Sequence, residues 1–202
     1  MSFYPPPNIV PSELRTAEFV LRPLTAQHVH IDYEALLSSK NMLRLWSGTP
    51  WPWEGFTLED NLKDLNWHDR EQRERIAFTY TILDLTESTC LGCVYIRPLA
   101  ELAADNPDAL QDVATGDAII RFWVRASRLA DGLDRHVLDA LIDWFVECWD
   151  FSNLLFHTSQ ANRQQIQLFQ AAGLEKTVSL QVPQRGGTFD FYGVNNSNAL
   201  SN

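Results

Sequence analysis

The stretch that most constrains this chain is a run of strand-forming residues followed by a short turn around one glycine and a long helical pattern. β-Branched and aromatic side chains crowd AIIRFWV, residues 118–124, which predicts a buried strand. The turn and the helix follow in RLADGLDRHVLDALIDWF, residues 128–145. A helix N-terminus presents free backbone N–H groups and the positive end of the helix dipole. The succession therefore predicts a site for an anion at the turn.

Composition indicates a single folded domain. The chain has 202 residues, of which 45% are hydrophobic, and this is enough to bury a sizeable core. Residues 1–14 hold four of the ten prolines and are predicted to form an extended arm, and residues 195–202 are typical of a frayed tail. We expect the domain between them, over residues 15–194.

Charge and hydropathy exclude several classes of partner. The net charge of −10 opposes a surface that follows a phosphate backbone, so nucleic acid is not an expected partner. The apolar runs are much shorter than the roughly 20 residues of a membrane span, and residues 1–20 lack the layout of a signal peptide. We therefore expect a cytoplasmic protein without membrane contact.

The three cysteines favour a reduced intracellular chain over a disulfide framework, because their number is odd. Cys90 and Cys93 form a C-x-x-C pair, but no second pair completes a zinc site, and a strand pattern rather than a helix follows. We expect ordinary core or turn cysteines and no metal.

The order of the periodic segments predicts an α/β (α+β) fold, with a mixed sheet flanked by helices. Turn chemistry marks some of the boundaries, because Thr57 and Asp60 form a loose capping box and Gly173 is placed to end a helix. Residues 100–117 are predicted to form an irregular or partly helical insertion. The predicted helices are 25–46, 57–77, 132–149 and 162–173, and the predicted strands are 18–24, 77–85, 91–99, 118–124, 153–159 and a final pair after residue 173.

Two stretches carry a resemblance to a known family. FWVRASRLADGLDRHVLDALIDW, from residue 122, is similar to a central strand, a pyrophosphate loop and the helix that follows. NRQQIQLFQAAGLEK, from residue 162, is similar to an Asn, a helix and a Gly that opens the next strand. On these motifs the chain resembles the GNAT superfamily of acetyl-CoA-dependent N-acetyltransferases over roughly residues 15–194. The front half, with LRPL, a Trp-rich loop and AFTYTIL, is most similar to the branch that includes ribosomal-protein N-acetyltransferases.

The resemblance implies a mixed, mostly antiparallel sheet and acetyl-CoA (coenzyme A) as the cofactor. It also implies that the central strand bonds the pantetheine amides and that the backbone of the loop holds the diphosphate, where a side chain pointing inward would block close approach. The cofactor-binding residues implied in this way are Phe122, Trp123, Val124, Arg128, Ala130, Asp131, Gly132, Leu133, Asp134, Arg135 and Asn162.

Three positions depart from the family pattern. Leu129 stands where the family has Gln or Arg, Asp134 where it has Gly or Ala, and Phe169 where a tyrosine commonly protonates the leaving thiolate. A carboxylate beside a diphosphate opposes binding unless it turns away, and phenylalanine has no proton to donate. Asp134 equally fits a first-turn acid that interacts with the helix dipole, and Phe169 equally fits core packing.

Acetyl transfer to an amine requires a group that removes a proton from the ammonium. The candidate bases are Asp117 before the central strand, Glu54 in the Trp-rich loop and His157 on the strand after the main helix. His68 lies in a charged helical segment and is predicted on a surface face.

Trp51 and Trp53 are the candidate walls of the acceptor site. In this branch of the family, the loop between the first two helices covers the substrate. Both rings could bury an apolar acceptor or attract an ammonium, and capping of the core is the alternative.

The predicted function is transfer of an acetyl group from acetyl-CoA to a primary amine of a small molecule or of a protein N-terminus, by direct attack in a ternary complex. Two alternatives stay open. Asp134 and Phe169 fit a pseudoenzyme that keeps the fold as a binding or partner-recruiting module. The Pro-rich arm fits an interaction protein that docks on a partner or on the second subunit of a homodimer.

Overall fold

The computed structural model describes residues 2–110 and 117–193 of the chain. Within these residues, no helix has the length and apolar character needed to cross a bilayer. The helices are α1 (Val29–Ser38), α2 (Lys40–Ser47), α3 (Leu58–Glu74), α4 (Leu133–Cys148) and α5 (Arg163–Ala171). The strands are β1 (Leu14–Arg15), β2 (Val20–Pro23), β3 (Phe78–Leu83), β4 (Cys90–Pro98), β5 (Asp117–Val124), β6 (Asn153–Ser159), β7 (Glu175–Val182) and β8 (Gly187–Gly193).

The strands form one sheet in the order β1-β2-β3-β4-β5-β6-β8-β7. Neighbouring strands are antiparallel except for β5 and β6, which run parallel. Helix α4 makes the crossover connection that a parallel pair needs. The predicted mixed, mostly antiparallel sheet flanked by helices is confirmed.

The parallel pairing of β5 and β6 covers only part of each strand. It ends with Ile120 opposite Phe156, although β5 continues to Val124 and β6 continues to Ser159. The two strands therefore diverge after the paired part. We call the opening between their carboxyl ends the fork.

Side chains from two helices bond the open edge of β5 inside the fork. The Phe122 carbonyl oxygen accepts hydrogen bonds from Trp46 Nε1 of α2 at 2.7 Å and from Gln165 Nε2 of α5 at 3.1 Å. A buried carbonyl needs such partners where the strand ladder ends. Because backbone groups two residues apart point to the same edge of a strand, the N–H and C=O groups of Val124 also face the fork.

Alternation along β5 assigns its side chains to the two faces of the sheet. Ile120, Phe122 and Val124 belong to the main core cluster, which includes the buried stripes of α4 and α5. Trp123 belongs to a second cluster, with residues of α1, α2 and α3. Arg121, two residues before Trp123, lies on this second face.

The predicted helix over residues 25–46 is wrong as a single element. The structure has a 3-10 turn at Ala26–His28, followed by α1 and α2 with a break at Ser39. Ser39 is buried, and its hydroxyl oxygen accepts a hydrogen bond from the Ala126 N–H at 3.0 Å. A serine that bonds backbone groups in this way competes with helical bonding. The contact that ties the helix to the loop after β5 thus accompanies the break.

The N-terminal segment packs on the rest of the chain. Phe3 and Tyr4 are buried in the main core cluster. Arg75 Nη1 donates to the carbonyl oxygens of Tyr4 and Asn8 at 3.0 and 2.9 Å. The segment predicted as an arm therefore contributes two aromatic side chains to the core, and the short edge strand β1 at its end was not predicted.

Other predicted boundaries are confirmed. Thr57 Oγ1 accepts from the Asp60 N–H at 3.1 Å, and the Asp60 carboxylate accepts from the Thr57 N–H at 3.0 Å. Gly173 follows α5 with a φ of 79°. The predicted insertion includes a 3-10 turn at Leu99–Leu102, and residues 111–116 and 194–202 lie outside the described part of the chain.

Gly92 allows β4 to approach β5 closely beside the fork. A Cβ atom on Gly92 would lie 2.0 Å from the Trp123 carbonyl oxygen. We expect Gly92→Ala to lower the free energy of unfolding by about 3 kcal/mol, because the backbone at Trp123 has to move. Gly187→Ala is the control, since a Cβ there meets no atom within 4 Å. Urea unfolding measures both changes, and equal losses would contradict the close approach.

Candidate active site

Two concavities lie beside the fork. The larger one, which we call the cavity, has a volume of about 400 Å³ and lies between the sheet and helices α2 and α3. The smaller one, which we call the groove, has a volume of about 40 Å³ and lies between β5, the start of α4 and α5. Trp46 lines both, and its indole donates to the Phe122 carbonyl between them.

Several residues predicted at the cofactor site are brought together in the groove. Asn162 is the N-cap of α5, and its Oδ1 accepts from the Gln165 N–H at 3.3 Å. The side chain therefore serves as a helix cap and also borders the groove. The groove is lined by Phe122, Trp123 and Val124 of β5, by Leu129 and Asp134 near the start of α4, by Asn162, Gln164, Gln165 and Leu168 at α5, and by Met42 and Trp46 of α2.

The turn before α4 brings free backbone N–H groups close to the carboxylate of Asp134. Gly132 is the N-cap with a φ of 74°, and a Cβ there would meet no atom within 4 Å. The N–H groups of Leu133 and Asp134 open a helix of 16 residues, where first-turn donors have no carbonyl partner in their own helix. Asp134 Oδ1 accepts from the Arg135 N–H at 3.0 Å. This carboxylate thus already bonds the start of the helix.

Charged side chains around this turn form ion pairs at its surface. Arg128 Nε lies 2.8 Å from Asp131 Oδ2, and Arg135 Nε lies 2.8 Å from Asp139 Oδ2, with Ala130 in the turn between the two arginines. Exposed ion pairs contribute roughly 0–1 kcal/mol. Both arginines can therefore turn towards another anion at small cost.

Phe169 lies in the main core cluster and is fully buried. Its ring centroid lies 6.3 Å from that of Phe122 and 5.3 Å from that of Tyr192. These contacts support the core-packing interpretation of this position. They connect α5 to β5 and β8 beneath the groove.

The wall of the cavity beside the fork is basic. Arg121, the first residue of β5 beyond the paired part, is 5% exposed, and its guanidinium carbon lies 4.0 Å from the Trp46 ring centroid. Its Nη2 donates to the Trp46 carbonyl oxygen at 2.7 Å. In the described part of the chain, its buried Nε and Nη1 have no hydrogen-bond partner. Arg185, from the turn between β7 and β8, lines the same cavity.

His157 is the first residue of β6 beyond the paired part, and it also lines the cavity. Its ring stacks on Phe191, with centroids 4.7 Å apart, and its buried Nδ1 has no partner among the residues described. Burial, together with the nearby Arg121 and Arg185, lowers the pKa of His157 well below its usual value. The imidazole is therefore neutral at pH 7 and able to accept a proton.

Helix α3 contributes Asp64 and His68 to the cavity. His68 Nε2 lies 3.8 Å from Asp64 Oδ1, and burial raises the pKa of Asp64. The prediction of His68 on a surface face is wrong, because this residue is 7% exposed. Helical spacing explains the difference, since the buried stripe of α3 consists of Asn61, Leu65, His68 and Glu71.

The other two candidate bases lie away from the cavity. Asp117 begins β5, at the end of the strand opposite to the fork, and its Oδ1 accepts from Asn153 Nδ2 at 2.6 Å. Glu54 is exposed, and its Oε2 accepts from Lys40 Nζ at 2.6 Å, which lowers the pKa of Glu54. Of the three candidates, the structure therefore places His157 at the cavity.

The two tryptophans of the Trp-rich loop have different positions. Trp51 lines the cavity, and its role as a wall of the acceptor site stays a prediction. Trp53 is 46% exposed and packs edge-on against Phe56, with ring centroids 4.8 Å apart. Trp53 therefore covers the loop core rather than the cavity.

A buried cluster of Asp32, Cys90 and Cys93 lies between α1 and β4. The potential ligand atoms of these three residues lie within 4.8 Å of one another. Both thiols donate to Asp32 Oδ1, at 3.9 and 3.6 Å, and Asn61 Nδ2 donates to Asp32 Oδ2 at 2.9 Å. The cysteines are core residues, and the expectation that no metal binds stays a prediction.

The fork thus has a groove that ends at a helix N-terminus on one side and, beyond Trp46, a cavity lined by Arg121 and His157. The family model of the acetyltransferase (GNAT) domain matches residues 18–175. The chain belongs to this family, and the predicted class of enzyme is confirmed.

Solved structures of low sequence identity share the fold. The RimL ribosomal L7/L12 alpha-N-protein acetyltransferase in complex with coenzyme A is 15% identical, with a TM-score of 0.67 over 93% of this chain and 97% of that chain. The aminoglycoside acetyltransferase AAC(6')-Ib with coenzyme A and kanamycin is 17% identical, with a TM-score of 0.67 over 89% and 95%. The microcin C7 self-immunity acetyltransferase MccE with acetyl-CoA and AMP is 13% identical, with a TM-score of 0.67 over 93% and 98%. No curated protein sequence matches the chain.

Asp32 makes the stability of the fold depend on pH. Burial raises its pKa to about 6 from an ordinary value of 3.8, so the folded state keeps a proton that the unfolded state has lost. The retained proton stabilises the folded state fully below about pH 4, and this stabilisation is lost as the pH rises through about 6. A difference of two pKa units corresponds to about 3 kcal/mol in the free energy of unfolding. We expect Asp32→Asn to remove this loss.

Urea unfolding between pH 4 and pH 8 tests the expectation, through the difference between the wild type and the variant at each pH. Asp143→Asn, which changes an exposed acid of α4, is the matched control. A wild-type profile that runs parallel to that of Asp32→Asn would contradict the assignment.

Proposed function

We propose that the chain transfers the acetyl group of acetyl-CoA to a primary amine by direct attack, with a small molecule or a protein N-terminus as the acceptor. The observation that carries the proposal is the fork, where β5 and β6 part after Ile120 and Phe156 and where Trp46 lines both the groove and the cavity. Two ligands can approach each other there. Both kinds of acceptor are supported by relatives of the same fold, of which one acetylates a ribosomal protein and another is bound to kanamycin.

The groove fits the cofactor on the geometry of its backbone. Acetyl-CoA, when bound, supplies a thioester whose acetyl carbon an amine can attack. The Phe122 N–H and the backbone groups of Val124 at the fork would bond the pantetheine amides, because the Phe122 carbonyl oxygen already accepts from Trp46 and Gln165. In the turn at residues 130–135, the N–H groups of Leu133 and Asp134 would hold the diphosphate, because those of Asp131, Gly132 and Arg135 already bond carbonyl oxygens. Arg128 and Arg135 would turn towards it from their exposed ion pairs.

His157 is the base that we retain from the three candidates. It lines the cavity at the first position of β6 beyond the pairing, where the acceptor meets the acetyl group. Its neutral imidazole accepts a proton from the ammonium and leaves an amine that can attack. The partly enclosed cavity, with Trp51 in its wall, limits access of water to the reacting groups.

We place this activity in the cytoplasm, on the support of the cysteines. Cys90 and Cys93 are free and buried, and Cys148 is free and exposed, as in a reducing compartment. A homodimer, with acetyl transfer in each subunit, stays a prediction.

The carboxylate of Asp134 is expected to weaken acetyl-CoA binding. It bonds the same helix start that would receive the diphosphate, and two like charges at close range repel by about 1 kcal/mol in a water-like medium. We expect Asp134→Asn to bind acetyl-CoA about fivefold more tightly in isothermal titration. Asp143→Asn removes the same charge from an exposed position further along α4 and is expected to leave the affinity unchanged.

The outcomes of this titration separate a working transferase from a pseudoenzyme. Micromolar binding by the wild type supports the proposed function and justifies a screen of amine acceptors. Binding that is gained only in Asp134→Asn favours a pseudoenzyme whose cradle is closed by this acid. Absence of binding in all three proteins would exclude acetyl-CoA as the cofactor of this chain.

Replacement of His157 is expected to slow transfer without changing cofactor affinity. A general base typically contributes 10²–10⁴-fold, so we expect His157→Gln to lower kcat/KM by about a hundredfold or more. Because burial lowers the pKa of His157 well below the ordinary value of 6.5, the activity should not fall as the pH decreases through 6.5. His30→Gln, at an exposed position of α1, is the control, and an unchanged kcat/KM in His157→Gln would exclude the role.

A further inference from the structure

The cavity of this acidic chain contains two arginines that no acid neutralises in the described structure. The chain has 26 acidic and 16 basic residues, so acidic partners are plentiful in the sequence. Arg121 is bonded instead to the Trp46 carbonyl oxygen, and Arg185 Nη1 lies 3.5 Å from the Ser47 carbonyl oxygen. Burial of a cation without a counterion is unfavourable. An unpaired guanidinium at a cavity wall therefore indicates a binding site for an anionic ligand.

A third arginine of the cavity, Arg97, forms ion pairs with acidic side chains of its own chain. Arg97 Nη1 lies 3.0 Å from Glu71 Oε2, and Arg97 Nε lies 2.8 Å from Glu101 Oε2. This guanidinium is neutralised by two carboxylates of its own chain. Arg121 has no such carboxylate partner among the residues that the structure describes, which leaves its guanidinium available to an anionic ligand.

Arg121 is held rigidly enough to serve as a binding group. Its guanidinium stacks on the Trp46 ring at 4.0 Å and lies 5.5 Å from the Phe189 ring centroid. One terminal nitrogen is fixed by the Trp46 carbonyl, while the N–H groups of Nε and Nη1 stay without a partner among the described residues. Guanidinium donors match the oxygen atoms of carboxylates and phosphates.

We propose that the acceptor amine of this enzyme carries an anionic group, a carboxylate or a phosphate, which binds to Arg121 and Arg185 in the cavity. The inference rests on the proposed function and names the class of acceptor within it. The amine of the same molecule lies against His157. Arg121 and His157 are the first residues beyond the pairing on adjacent strands, so one small molecule can contact both.

A bound anion also improves the base. The positive charges of Arg121 and Arg185 contribute to the low pKa of His157. An anion that neutralises them raises this pKa towards the operating pH, where a general base is most effective. Binding of the acceptor thus raises the pKa of His157, the residue that deprotonates it.

Binding of simple anions tests the site without any acetyl transfer. Isothermal titration with succinate and with inorganic phosphate, at constant ionic strength, compares the wild type with Arg121→Met, Arg185→Met and Arg70→Met. Arg70 is an exposed residue of α3, so its variant changes the charge of the chain equally. We expect at least tenfold weaker binding in the first two variants and a change within twofold in the third.

Two results of the titration would overturn the proposal. One is the absence of binding of both anions by the wild type. The other is equal binding by Arg121→Met and Arg70→Met, which would place the anion elsewhere, as at the N-terminus of α4. Circular dichroism melting shows that Arg121→Met folds, and we expect its melting temperature to be no lower than that of the wild type, since an unpaired buried cation is removed.

Matched pairs of amines then test whether the acceptor carries an anionic group, and whether this group is a carboxylate or a phosphate. β-Alanine is compared with its amide, and O-phosphoethanolamine with ethanolamine, through release of the coenzyme A thiol. We expect kcat/KM to be at least tenfold higher for the anionic member of a pair. Preference within the carboxylate pair or within the phosphate pair identifies the source. Arg121→Met should abolish the preference, and Arg121→Lys should keep part of it.

The same assay distinguishes a competing role for Arg121. If Arg121→Met lowers kcat equally for anionic and neutral amines, the guanidinium acts on the reacting carbonyl oxygen and the proposal is overturned. If acetyl transfer fails with every amine while the anion titration gives the expected losses, the proposed function fails for these acceptors and the anion site stands.

Discussion

The hydrogen bonds to the Phe122 carbonyl oxygen connect the parts of the candidate active site. If the pairing of β5 and β6 had continued, β6 would bond this carbonyl and the groove and the cavity would be separated by a closed sheet. Instead, Trp46 from α2 and Gln165 from α5 bond it, and a buried carbonyl requires such partners. A ligand that enters the fork must supply its own donor or leave these side chains in place. The helices on both sides are thereby linked to one backbone atom.

The two-residue period of β5 places alternate side chains on opposite faces of the sheet, so that one face packs in the core and the other faces the cavity. Ile120, Phe122 and Val124 are buried in the main core, and each such side chain contributes about 2 kcal/mol when it is removed from water. Arg121 lies between them in sequence but faces the cavity, where its burial is unfavourable by itself. The apolar residues of the same strand offset this cost. A strand that is almost wholly apolar can therefore present one cation at the point where the sheet opens.

Much of the fold follows from the sequence, and less of the site does. Strong periodicity and caps predicted most helices and strands, whereas the break at Ser39 depends on a contact with Ala126, which is distant in sequence. Part of the groove lining lies in the two continuous motifs and was named from the sequence, whereas Met42 and Trp46 come from α2, outside both motifs. The cavity combines residues of α2, α3, β4, β5, β6 and the β7–β8 turn, which no local pattern brings together. Two signals were nevertheless present: the charge of Arg121 inside an apolar strand, and the position of His68 on the buried stripe of α3.

The buried ionisable groups of this chain differ in how they can avoid an unpaired charge. Asp32 can keep its proton, because burial raises its pKa to about 6, and a carboxyl group without charge needs no counterion. An arginine has no such route near neutral pH, since its guanidinium stays charged. Arg121 therefore stays without a counterion among the described residues after the chain has folded, and the proposed base His157 beside it stays a weak base until an anion binds. An acceptor with its own negative charge removes both obstacles in one binding step, whereas a neutral amine would meet an unneutralised cation and a weak base.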